Sequence, residues 1–113
     1  MKLFVQSQPE VWRTTACITG STSVTSGSFY TEGYAKLVGI VYAGASSASI
    51  GGIKVLQSSD YGANWDYSAS QKISACTGCA LSIDICGNAA KIEYYTDSAG
   101  ANPFRTSWRL RPI

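Results

Sequence analysis

Apolar and polar residues alternate with period two along most of this chain, and a helical period of 3.6 is hard to find. Leu3 and Val5, and then Trp12, Thr14, Ala16 and Ile18, read as early strands, with Pro9 breaking the chain between them. Residues 19–33 are rich in Ser, Thr and Gly and read as a long loop or a weak edge strand. Tyr34 to Tyr42 (YAKLVGIVY) is nearly continuous in β-formers. That predicts a central strand buried on both faces, with Leu37, Val38, Ile40 and Val41 inside. On this reading Ile40→Asp would bury an unpaired charge and abolish soluble folding. A small-residue loop over 43–52 leads to a strand at Ile53–Gln57, which ends in the turn-rich Ser58–Asn64.

The second half alternates more cleanly. Ile73 and Ala75 alternate with Lys72 and Ser74, and Leu81, Ile83 and Ile85 with Ser82 and Asp84. Ile92 and Tyr94 alternate with Lys91, Glu93 and Tyr95, and Trp108 and Leu110 with Ser107, Arg109 and Arg111. Seven to eight short strands separated by turn signals predict one all-β domain over residues 1–113, a β-sandwich or small barrel. Parity adds a constraint. If Ile73 and Ile83 share the core, a two-residue hairpin at Thr77-Gly78 is in the wrong register. The connection is then odd in length, bulged, or a crossing between sheets.

Composition narrows the function classes. Hydrophobic residues make up 45% and charged residues 14%, which excludes a disordered chain. A net charge of +2 gives nucleic-acid binding no electrostatic warrant. No apolar run approaches the roughly 20 residues of a membrane-spanning helix, so no membrane partner is expected. The opening Met1–Gln6 also has no secretory h-region. The absence of histidine removes the commonest general base and metal ligand. No serine sits in G-x-S-x-G, and the carboxylates form no evident acid/base pair. The expectation is a protein that is not an enzyme and needs no cofactor or metal.

Four cysteines stand out: Cys17, Cys76, Cys79 and Cys86. An even count suggests at least one disulfide in an oxidising setting, with Cys79 or a Cys17–Cys86 pair as candidates. Four thiolates holding a structural zinc, or free thiols packed as small hydrophobes, are the alternatives. Thirteen aromatic residues (seven Tyr, three Trp, three Phe) suit a core or a subunit interface. Trp65 and Tyr67, on one strand face, are candidates for stacking on a glycan. Arg105, Arg109 and Arg111 cluster near the C-terminus, where a solvated strand face or pairing with a neighbouring subunit accounts for them.

Ser58-Ser59-Asp60-Tyr61-Gly62-Ala63-Asn64-Trp65 resembles the Asp-box, S-x-D-x-G-x-x-W, a β-hairpin motif of sialidases and other β-proteins. One copy implies a turn and not an activity. Asp60 accepts backbone N–H groups across it, Gly62 supplies a positive φ, and Trp65 packs the start of the next strand. The competing reading has Asp60, Asn64 and Asp66 donating oxygens to calcium.

Over residues 30–113 the order of segments is similar to small structural proteins of tailed bacteriophages and related viruses. The resemblance rests on Tyr34–Tyr42, on Gln57–Asp60 with Asn64-Trp65-Asp66, on Ala90–Tyr95, and on Phe104-Arg105 through Trp108–Arg111. This chain departs from the pattern where Tyr61 separates Asp60 from Gly62 and where Thr96-Asp97 replaces a Tyr-x-Asn turn. The resemblance implies a β-sandwich, the jelly roll among its forms, and a role in a virion as a head-decoration or fibre component. The expected partners are other copies of the chain and a major capsid or tail protein, and the expected location is the virion or the extracellular space. Residues 1–10 form an expected assembly arm, because Leu3, Phe4 and Val5 lie beside a single lysine and no acid over residues 1–8. A glycan-binding adhesion module built on the surface aromatics is the alternative.

Overall fold

Nine strands form in the computed structural model, which describes residues 9–19, 23–44, 49–74, 77–96 and 101–112. They are β1 (Glu10–Thr19), β2 (Ser23–Thr25), β3 (Phe29–Tyr30), β4 (Tyr34–Ala43) and β5 (Ser49–Ser58). β6 (Tyr67–Ser74), β7 (Thr77–Asp84), β8 (Ala89–Tyr95) and β9 (Ala101–Pro112) complete the set, and no helix occurs among the described residues. One sheet has the order β1-β9-β4-β7 and the other β2-β8-β5-β6, with β3 also on β8.

The antiparallel pairing is nested: β1 with β9, β2 with β8, β4 with β7, and β5 with β6. One long hairpin with its tip between β5 and β6 is in effect rolled into two sheets, closed by β9 on β4 and β8 on β5. This is a sandwich with the strand order of a jelly roll. The all-β reading holds, and the weak region at 19–33 supplies two short strands on an edge of the second sheet.

Alternation sends Leu37, Val41, Phe104, Trp108 and Leu110 of the first sheet inward to meet Ile53, Val55, Ile92 and Tyr94 of the second. Each fully buried aliphatic side chain contributes about 1.5–3 kcal/mol. Tyr94 and Phe104 stack across the two sheets with ring centroids 3.9 Å apart and planes at 15°. Gly39 leaves room for Trp108: a Cβ at that position would clash with Cδ2, Cε3 and Cε2 of the indole. The seam from Ile73 to Ile83 is a crossing between sheets, one of the connections that parity allows, since β6 and β7 belong to different sheets.

Two expectations need correcting. The strand at 34–43 is central, hydrogen-bonded to β7 and β9, but only one of its faces is buried. Leu37 and Val41 are fully buried, Val38 is half-buried, and Ile40 is 63% exposed. The physical reason is the layer count, because each sheet of a two-layer sandwich covers its neighbour on one side only. The loop assigned to 43–52 is also shorter, as β5 already begins at Ser49. Leu3, Phe4, Val5 and Ala75 lie outside the described residues.

The Ile40 expectation is therefore reversed. Ile40→Asp should remain folded, losing about 1 kcal/mol through lower β-propensity. Val41→Asp, one residue on, should cost more than about 4 kcal/mol by burying an unpaired charge. Urea denaturation of the two variants checks this, and equal losses would contradict the assignment of faces.

Candidate functional site

The Asp60 turn is built from its own side chains. Ser58 Oγ donates to Asp60 Oδ1 at 2.7 Å and accepts from the N–H groups of Asp60 (3.1 Å) and Gly62 (2.9 Å). Asn64 donates its backbone N–H to Asp60 Oδ1 (2.8 Å) and its side-chain amide to Oδ2 (2.6 Å). Ser59 donates its N–H and its hydroxyl to Asp66 Oδ2 at 3.1 and 2.8 Å. These bonds favour the ionised carboxylate, so Ser58 first and then Asn64 hold the Asp60 carboxyl below its ordinary pKa of 3.8. Asp60 spends its oxygens on protein donors, with the Asn64 amide nitrogen turned toward it. The arrangement is that of a self-stapled hairpin and not of a calcium loop.

Long-range bonds dock this turn on the rest of the sandwich. Gln57 is buried, donating to the Asp84 carbonyl (3.0 Å) and accepting from the N–H groups of Cys86 (2.9 Å) and Gly87 (3.2 Å). Asn88 donates to the Ser59 carbonyl and accepts from the Tyr61 N–H. Gly62 has the positive φ expected of it, 96°, and Tyr61 also adopts one, 58°, which is unusual for a bulky residue. Tyr61 is held there by its hydroxyl donating to Glu32 at 2.8 Å and by an edge-to-face contact with Tyr30 at 5.9 Å. The bond to Glu32, and then the charge of that carboxylate, push the Tyr61 phenol up.

The aromatic candidates separate. The Trp65 ring carries the Lys91 ammonium 4.6 Å from its centroid, so one face is already occupied. Tyr67 is 54% exposed on the edge strand β6. Tyr30 and Tyr61 are exposed too, but their rings stand at 75° and form no flat row.

Among the described residues Cys17, Cys79 and Cys86 are free thiols, and Cys76 lies outside them. The structure does not bring Cys17 and Cys86 together. Cys17 is on β1 and Cys86 follows β7, and these strands are opposite edges of one sheet. Three strand spacings, about 14 Å, exceed the roughly 7 Å limit on Cα separation in a disulfide.

The feature that sequence reasoning missed is the outer face of the first sheet. Arg13 on β1 faces the same way as Arg105, Arg109 and Arg111 on β9, so every arginine of the chain is on this face. Lys36, Val38, Ile40 and Tyr42 of β4 lie beside them, with the small residues Gly78, Ala80 and Ser82 of β7 beyond. Two shallow hollows of about 320 and 440 Å³ adjoin at Ile40 and Ser107. The Arg105 guanidinium stacks on Tyr42, 4.4 Å from the ring centroid. Arg13 and Arg109 share Glu10 at 3.2 and 4.0 Å, and Lys36 pairs with Asp84 at 2.6 Å. The available sequence signal was the even spacing of Lys36, Val38, Ile40 and Tyr42 against the inward Leu37 and Val41.

The Asp60 network sets a pH dependence. A carboxyl with a depressed folded pKa stabilises the fold fully above its unfolded value, and that stabilisation is lost as pH falls through the folded one. Asp60→Asn, which sets an amide against the Asn64 amide, should lower the melting temperature at neutral pH. The gap from wild type should close as pH drops below 3.8. Thermal melts across that range check it, and a gap that stays constant in acid would show that the Asp60 charge has no part in holding the turn.

Compared with protein-family models, with curated proteins and with solved structures, the chain matches none.

Proposed function

We propose that this protein is a non-enzymatic virion structural protein, a capsid decoration, fibre or other self-assembling component, that works by self-association and by binding a protein lattice. The observation that carries the reading is the sorting of cations between the two sheets. All the arginines lie on the outer face of the first sheet, around the exposed Ile40 and with Lys36 beside them, while the other described lysines, Lys54, Lys72 and Lys91, lie on the outer face of the second. Arginine and aromatic side chains are enriched at protein interfaces and lysine is depleted there. Arg105 stacked on Tyr42 beside an exposed isoleucine has the make-up of an interface anchor.

Further support comes from the resemblance over residues 30–113, and from the jelly roll, an architecture that occurs in viral capsid and lectin domains. An architecture alone fixes no function, so the face and not the fold bears the weight. In this reading the partners are further copies of the chain and a capsid or tail protein, on a virion or outside the cell. Leu3, Phe4 and Val5 serve as an assembly arm, with contacts extending through residue 12.

Sedimentation velocity of the full chain over rising concentration tests the proposal. Oligomers or polymers are expected, and Arg105→Glu should raise the concentration of half-assembly about 30-fold or more, the loss of one anchor worth about 2 kcal/mol. A chain that stays monomeric at high concentration, and binds an oligosaccharide with micromolar affinity through Tyr67 or the Tyr30–Tyr61 pair, would establish the adhesion module instead.

A further inference from the structure

Among the described residues β7 is hydrogen-bonded on one side only, to β4. Its register with β4 runs without a break from Asp84 to Thr77, and its eight residues include no proline and no lysine. Sheet edges left like this pair with other strands unless guarded by charge, proline or a bulge. The opposite edge, β1, is guarded by a bulge between Glu10 and Trp12 and by the charged Glu10 and Arg13.

The backbone of β7 points usable groups outward. Ile85 donates its N–H to the Ala35 carbonyl on the β4 side at 3.0 Å. In an antiparallel ladder the direction alternates, so Leu81 and Ile83 also bond toward β4. The N–H and C=O groups of Ala80 and Ser82 then face the open edge.

Both flanks of this edge have room for side chains. On the core side Leu81 and Ile83 are only half-buried, and a cavity of about 210 Å³ opens between them and Ile53, Val55 and Ala69. On the outer side, the small Ala80 leaves the 440 Å³ hollow beside Val38 and Ile40. A strand added here needs apolar residues pointing alternately to both flanks. Leu3 and Val5 lie on one side of an extended segment and Phe4 on the other. The only charged side chain in residues 1–8 is Lys2, and the only one in β7 is Asp84, of opposite sign, which already pairs with Lys36 but stays exposed.

A chain cannot supply this strand to itself. From β1 to a position beyond β7 is four strand spacings, about 19 Å. Val5 is separated from Pro9 by at most about 14 Å of extended chain. We infer that the free edge of β7 is the docking site for residues 1–8 of a second copy, added as a further strand with Leu3 and Val5 over the core seam and Phe4 over the outer hollow. Because the contact joins an arm to an edge, two copies that exchange arms close a two-fold dimer, and contacts that are not reciprocated build rings or open filaments. This inference rests on the self-assembly reading and specifies the contact that performs it.

A mixing experiment on full-length chains tests it. Ser82→Pro removes an edge donor without touching the bonds to β4, and Leu3→Asp with Val5→Asp disables the arm. Each variant alone should need at least about tenfold more protein to assemble than wild type, and the mixture should give a 1:1 complex by native mass spectrometry. If the proline unfolds the chain, Ala80→Lys, which fills the outer hollow and keeps every backbone bond, replaces it. Wild type that assembles while folded edge variants assemble equally well, or a mixture that yields no 1:1 complex, overturns the β7 assignment and leaves self-assembly standing. A wild-type chain that is monomeric at every concentration overturns both.

Discussion

The indole of Trp108 lies against the bare backbone of Gly39, and much of the first sheet follows from that contact. Gly39 and Trp108 are register partners on the two central strands, β4 and β9, so no other residue type fits the first position while the second is tryptophan. The indole is fully buried, and its Nε1 has no hydrogen-bond partner among the described residues. Leaving such a group unbonded costs about 1–3 kcal/mol, which the packing of the largest core side chain has to offset. With Trp108 turned inward, alternation turns Arg105, Ser107, Arg109 and Arg111 outward on β9. It does the same to Val38 and Ile40 on β4.

Nested pairing then determines where the ends of the sheets fall. Rolling one long hairpin puts β1 and β7 on the edges of the first sheet, one bulged and charged, the other plain. It also brings the Asp60 turn against the 84–88 segment, where Gln57 bonds the second sheet to the end of β7 and Asn88 ties the turn to the start of β8. The turn stiffens one end of the sandwich, while the arginine face and the open edge share a single sheet.

Local signals were legible in the sequence and long-range ones were not. The Asp60 turn could be read because its donors and acceptors lie within a few residues of one another. The crossing between β6 and β7 was one of the outcomes allowed by Ile73 and Ile83 both needing the core. Ile40 was misread because a continuous apolar run looks the same whether one face or both are buried. Arg13 was overlooked because its companions on β9 are about ninety residues away in sequence, and only the β1–β9 register brings them to one face. Glu32 and Asn88, which hold Tyr61 in its left-handed conformation, were equally invisible. The spacing of Cys17 and Cys86 gave no hint that their strands bound opposite edges of one sheet.

On the proposed reading, the first sheet is where copies of this chain meet, edge to arm. Residue-resolved amide hydrogen exchange on the full-length protein, assembled and then diluted to monomer, reads it directly. The outward N–H groups of Ala80 and Ser82 should exchange slowly in the assembly and rapidly in the monomer, whereas those of Leu81 and Ile83, already bonded to β4, should change little. Equal exchange at Ala80 and Ser82 in both states would contradict the account.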